Sequence, residues 1–146
     1  MKPEMDRTDQ VSRVADCMSE HVVTMRATET IDRAAQMMVE RGVGSAVVMR
    51  DGAIEGIITE RDVLRAVARG LVPWSTSVSD CMTVKPTTVS SLTTPGEALS
   101  MMLENGYRHL PVVDDGALVG IVSLRNLVAV AEAEVSASES PVVGAG

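Results

Sequence analysis

The chain contains no phenylalanine, one tryptophan and one tyrosine. Its core must therefore come from aliphatic side chains and from the ten methionines, whose pliable thioethers fill irregular gaps and which read as core packing rather than a metal site. Cysteine is also scarce. Cys17 and Cys81 are too few for a disulfide scaffold, lack the C-x-x-C spacing of zinc or redox sites, and imply a reducing compartment. Positive charge is in deficit, with 13 Lys and Arg against 20 Asp and Glu, for a net charge of −7. That balance excludes general affinity for nucleic acid or an anionic membrane surface, so any bound phosphate must be held by a few local groups. No apolar run approaches the roughly 20 residues of a membrane span. The polar start MKPEMDRTDQ lacks a signal-peptide core, and the expected location is cytoplasmic. No P-loop, metal-ligand cluster or nucleophile beside His21 or His109 marks an enzyme.

What the chain does contain is written twice. Val14–Ala66 aligns with Val78–Val130 without a gap, with about a third of the positions identical. Asp16-Cys17-Met18 recurs as Asp80-Cys81-Met82, Met37-Met38 as Met101-Met102, and Asp51-Gly52-Ala53 as Asp115-Gly116-Ala117. Two copies are too few for a solenoid, so they are expected to bury their apolar faces against each other about a pseudo-two-fold axis.

Each copy has a legible local order. Ile31, Ala34, Ala35 and Met38 fall on one face of a helix that Gly42 stops. In the second copy Thr94, Pro95 and Glu97 supply N-cap, N1 and N3 of a capping box, and Gly106 ends the helix. Asp-Gly then joins two β-rich runs, a hairpin signal, and a second helix follows from Thr59 to about Arg69 and from Ser123 to about Glu132. With short extended runs near Val22–Met25 and Thr87–Val89, the unit reads β-α-β-β-α, and the chain reads as α+β. Residues 1–10 form an expected flexible N-terminal tail, 11–70 repeat 1, 71–133 the linker and repeat 2, and 134–146 a flexible C-terminal tail.

The second hairpin strand of repeat 1 runs into Gly56-Ile57-Ile58-Thr59-Glu60-Arg61-Asp62, echoed by Gly120-Ile121-Val122-Ser123-Leu124-Arg125-Asn126. A glycine inside a strand marks close approach of another group. Thr59 and Asp62 suit a self-contained helix cap. They equally suit a ligand, because a helix N-terminus receives phosphate and a carboxylate accepts both hydroxyls of a ribose diol. Asn126, neutral and with a single acceptor oxygen, is expected to grip a diol less well.

This duplicated pattern, over roughly residues 11–133, resembles the cystathionine β-synthase (CBS) domain, and the tandem resembles the CBS pair, or Bateman module. The resemblance implies a stand-alone regulatory fold that binds AMP, ADP or ATP between its repeats as an energy or metabolite sensor, with S-adenosylmethionine and NAD as further candidates. It also implies a homodimer, a separate regulated partner protein and no required cofactor. Carried over residue by residue, it assigns a main cleft to Ile57, Thr59, Arg61, Asp62, Pro86, Thr87, Arg108 and His109. A weaker second cleft falls to Val22, Val23, Gly44, Ser45, Ile121, Ser123, Arg125 and Asn126. In this reading Arg108 and His109, which replace Gly44 and Ser45 of the first copy, hold phosphate opposite Asp62. The alternative is a ligand-independent dimerisation scaffold in which the motif only caps helices. Arg61, Arg65 and Arg69 read as a solvated helix face, Trp74 as a packing plug, and the two cysteines as small core residues.

Overall fold

A computed structural model describes residues 12–145, with side chains described through residue 136. The expected N-terminal tail, residues 1–10, lies outside the described residues. The fold is α+β and duplicated. Repeat 1 supplies α1 (Val14–Cys17), β1 (Thr24–Met25), α2 (Ile31–Arg41), β2 (Ser45–Arg50), β3 (Ala53–Thr59) and α3 (Glu60–Ala68). A 3-10 turn at Val78–Asp80 takes the place of α1 in the second copy, followed by β4 (Thr83–Val84), α4 (Pro95–Asn105), β5 (His109–Asp114), β6 (Ala117–Ser123) and α5 (Leu124–Ala145).

The local signals act as their chemistry requires. Thr94 Oγ1 accepts from Glu97 N at 3.2 Å, Pro95 opens α4, and Gly106 closes it in the left-handed region at φ 71°. Ile31, Ala34 and Met38 of α2 are buried, whereas Ala35 on the same face is only half-buried. Both hairpin turns place two consecutive residues at positive φ, Asp51-Gly52 and Asp115-Gly116, as a type I′ turn demands. Each hairpin then slips register at an equivalent point, between Val48 and Met49 and between Val112 and Val113.

The structural units are not the sequence repeats. β4, from the start of repeat 2, pairs antiparallel with β3 and completes the sheet β1-β2-β3-β4 of repeat 1. The equivalent exchange in the other direction is a bridge between Ser19 and Ile121. The segments ahead of them are exchanged too. Val14 N donates to Thr93 O at 2.8 Å and Val78 N donates to Glu29 O at 2.8 Å. Accordingly Val14, Cys17 and Met18 pack into the core of repeat 2, and Val78, Cys81 and Met82 into the core of repeat 1. A third cluster, Val47, Ile57 and Ile121, joins the two copies. Burying an isoleucine or leucine such as Ile58 or Leu110, both fully enclosed, contributes about 1.5–3 kcal/mol. The exchange therefore ties the folding of each copy to the other.

Two expectations are corrected. The sequence pattern ends the last helix near Glu132, but α5 continues to Ala145. Ala and Glu at 131–134 are good helix formers, and no glycine or proline intervenes before Pro141. Trp74 is 73% exposed and plugs nothing, because the linker that carries it runs along the surface.

Candidate functional site

The two strand-to-helix junctions are built alike. Asp62 Oδ2 accepts from Thr59 N at 2.9 Å and from Thr59 Oγ1 at 3.1 Å, while Asp62 N donates back to Thr59 Oγ1 at 3.3 Å. Asn126 Oδ1 accepts from Ser123 N and Ser123 Oγ, both at 2.9 Å, and Asn126 N donates to Ser123 Oγ at 3.1 Å. The exchange of a carboxylate for an amide thus leaves the cap intact. What it alters is the group left over: an acceptor oxygen on Asp62, a donor NH2 on Asn126.

The motif glycines answer to packing. A Cβ on Gly56 would lie 2.6 Å from Met82 Sδ and 2.7 Å from Thr83 O; one on Gly120 would lie 2.7 Å from Met18 Sδ and 2.9 Å from Ser19 O. The close approach expected at these positions is that of the exchanged segment. Antiparallel pairing of Gly56 with Val84 and Ile57 with Thr83, extended by Lys85 N donating to Glu55 O, carries Pro86 and Thr87 towards the start of β3, away from Thr59 and Asp62 at its other end. Ile57 is buried in the cluster between the repeats, and Arg61 is exposed.

A cavity of about 950 Å³ opens on the second cleft. Gly44 and Ser45 from repeat 1 line it with Ile121, Ser123, Arg125 and Asn126 from repeat 2, as that cleft was expected to be composed. Val22 and Val23 do not line it. Val23 is in the core of repeat 1, its carbonyl accepting from Val47 N at 2.8 Å, and Val22 packs into the inter-repeat cluster. Arg108 and His109, expected opposite Asp62, both line this cavity together with Asn126. Thr59, Arg61, Asp62, Pro86 and Thr87 do not line it. The reason is close packing where β2 and β5 begin: the His109 ring abuts Gly44, whose added Cβ would meet Nε2 at 3.1 Å. Gly44 thus makes room for a histidine from the opposite copy. Sequence reading missed Glu60, which shares this wall, and the apolar lining from α2 and α5, including Met38 and Ala129. No local motif marks residues that meet only because two helices flank one opening.

His109 stands between the clefts. Its Nδ1 is buried without a hydrogen-bond partner among the described residues. Burial pushes its pKa below the ordinary 6.5; Arg108 pushes the same way, while Glu60 and Asp62 oppose. A buried imidazole with an unspent nitrogen can offer it to a ligand, as an N–H to an acceptor or as a lone pair to a donor. Because the folded state holds the proton less tightly than the unfolded chain, stability from this residue is present above pH 6.5 and is lost as pH falls through the unfolded value towards the folded one. The melting temperature of wild type is expected to fall between pH 7 and 5 more steeply than that of His109→Gln; parallel curves would remove His109 as the source.

The remaining candidates take structural places. Burial raises the thiol pKa of Cys17 and Cys81, with Asp16 and Asp80 adding to the effect, which makes both poor thiolates. Among the described residues no cluster of His, Cys, Asp and Glu is arranged to hold a metal, and no helix is long and apolar enough to cross a membrane.

Two copies that trade their leading segments and enclose a cavity lined from both define a tandem α+β repeat pair with an inter-repeat cleft. The CBS domain family model matches residues 14–69 and 78–133, and the chain belongs to the CBS domain family as a CBS pair. It is 35% identical over 118 residues to the CBS domain-containing protein YhcV of Bacillus subtilis, covering 80% of this chain and 84% of that protein. Among solved structures, the CBS-domain containing protein ATU1752 from Agrobacterium tumefaciens is 32% identical with a TM-score of 0.76, over 82% of this chain and 98% of that one. The CBS domain protein PAE2072 from Pyrobaculum aerophilum, complexed with AMP, is 29% identical with a TM-score of 0.72, over 78% and 88%.

Proposed function

We propose that this CBS pair is a non-catalytic regulatory module that binds an adenine nucleotide of the AMP, ADP or ATP class between its repeats. The observation that carries the reading is the cap on α3. Asp62 uses Oδ2 for the helix start, and no hydrogen bond among the described residues uses Oδ1, which leaves a carboxylate oxygen for the two hydroxyls of a ribose. His109, within electrostatic reach of Asp62, and Thr59 at the helix N-terminus supply groups for phosphate. The AMP complex of a relative at 29% identity supports the ligand class. The nucleotide acts by binding two conformations of the pair unequally, and a separate partner protein reads the difference.

A thermal-shift panel of AMP, ADP, ATP, S-adenosylmethionine and NAD tests this, since a ligand specific for the folded state must raise the melting temperature. A rise with at least one adenosyl compound is expected. No rise with any would favour the alternative, a ligand-independent scaffold. Exposed apolar side chains on three helices, Val39 on α2, Leu64 and Val67 on α3 and Leu103 on α4, favour the expected homodimer, because a second copy would remove such surface from water. A sedimentation mass of one chain would refute it.

A further inference from the structure

The two caps dictate what each cleft offers a ligand. On α3 the atom left over is Asp62 Oδ1, an acceptor. On α5 the amide of Asn126 is held in one orientation, because its oxygen accepts from both Ser123 N and Ser123 Oγ. Turning the amide over would set its NH2 against a backbone N–H that has only donors to offer. The group facing a ligand is therefore Nδ2. Asn126 lines the 950 Å³ cavity together with Ser123, Arg108, Arg125 and His109. Two carboxylates share the wall, Glu60 beside Gly44 and His109, and Glu132 more than two turns along α5. At the start of α5, whose Leu124 N donates to Arg108 O, Asn126 Nδ2, Ser123 and the two arginines offer donors beside the positive end of a helix, with Glu60 the one carboxylate near them among the described residues.

A free ribose diol brings two hydroxyl protons and is best met by an acceptor; a phosphate brings only acceptors and is best met by donors. We propose that the Asn126 cavity takes an adenine nucleotide carrying a phosphate on its ribose, at the 2′ or 3′ position, in place of a free diol. The inference rests on the reading of the module as an adenine-nucleotide binder, and assigns its two clefts different members of that class. The amide does not merely weaken a copied site. It inverts the hydrogen-bond polarity at the atom that reads the ribose.

Calorimetric titration of AMP, adenosine 2′,5′-bisphosphate and adenosine 3′,5′-bisphosphate into wild type, Asp62→Ala and Asn126→Asp tests the inference. Asp62→Ala is expected to retain a site that binds one of the bisphosphates more tightly than AMP, and the tighter of the two identifies the ribose position. Asn126→Asp should weaken that bisphosphate about tenfold or more through like-charge contact and raise the affinity of the same cleft for AMP. It should fold, because repeat 1 carries Asp in an equivalent cap. Binding of both bisphosphates to Asn126→Asp as tight as to wild type would overturn the inference, as would an Asp62→Ala protein that binds AMP at least as well as either. If AMP fails to bind wild type but a bisphosphate binds and is lost in Asn126→Asp, the Asp62 diol site falls and this inference stands.

Discussion

Replacing Asp62 with asparagine is expected to lower AMP affinity about 10- to 100-fold while leaving the fold as stable as wild type. The size follows from the loss of charge-assisted hydrogen bonds to the ribose hydroxyls, about 1.5–3 kcal/mol. The unchanged stability follows from the second copy, where an amide at the equivalent position already makes the full cap, with Asn126 Oδ1 accepting from Ser123 N at 2.9 Å. Asp62→Ala removes both functions and should also lose about 1 kcal/mol of stability, because Thr59 N loses the carboxylate that completes the capping box from N3. Paired calorimetry and urea unfolding on the two variants therefore separates binding from capping. AMP bound by Asp62→Asn as tightly as by wild type would end the diol assignment, whatever happened to Asp62→Ala.

Gly56→Ala should destabilise the whole chain by about 1–3 kcal/mol, the range for forcing an extra methyl into packed surroundings. The side chain of Met82, 2.6 Å from the added Cβ, is flexible enough to move aside, but Thr83 O at 2.7 Å is backbone held in the β3–β4 ladder. Relief requires the exchanged strand to retreat, and with it the Val78, Cys81 and Met82 packing of repeat 1. Gly120→Ala should behave the same way against Ser19 O. Gly96→Ala is the control: nothing lies within 4 Å of its added Cβ, and it sits within α4, where alanine is favoured over glycine by up to about 1 kcal/mol. Urea denaturation that finds Gly56→Ala as stable as wild type would show that the crossing is loose and the glycine serves some other end.

Much of the local architecture was legible because each signal acts over a few residues. Thr94, Pro95, Glu97 and Gly106 bound α4 by backbone hydrogen bonding alone, and Asp51-Gly52 turns the first hairpin through its own φ angles. The repeat itself, matched from Val14 to Val130, announced the pseudo-symmetric pair. Less legible was the end of α5, where the Ser, Val, Pro and Gly residues after Glu134 are weak helix formers although the helix runs to Ala145. Trp74 was misread for the opposite reason, since a large apolar side chain suggests burial but the linker offers it nothing to pack against.

The candidate site divides along the same line. Residues of the G-x-x-T/S-x-x-D/N motif were assigned correctly to a strand-to-helix junction, because the cap is made within four residues of chain. The placement of Arg108 and His109 was not available from pattern. It depends on β2 and β5 meeting end to end, on Gly44 leaving space for an imidazole from the other copy, and on α2 and α5 flanking the opening. By itself the sequence determined the α+β class, the duplication, the hairpins and the two unequal caps, all of which rest on contacts between near neighbours in the chain. Tertiary structure alone decided that the leading segment of each repeat completes the other, and that Arg108 and His109 line one cavity with Asn126. Those outcomes depend on which distant surfaces fit closely enough to exclude water, and a one-dimensional pattern carries no record of that fit.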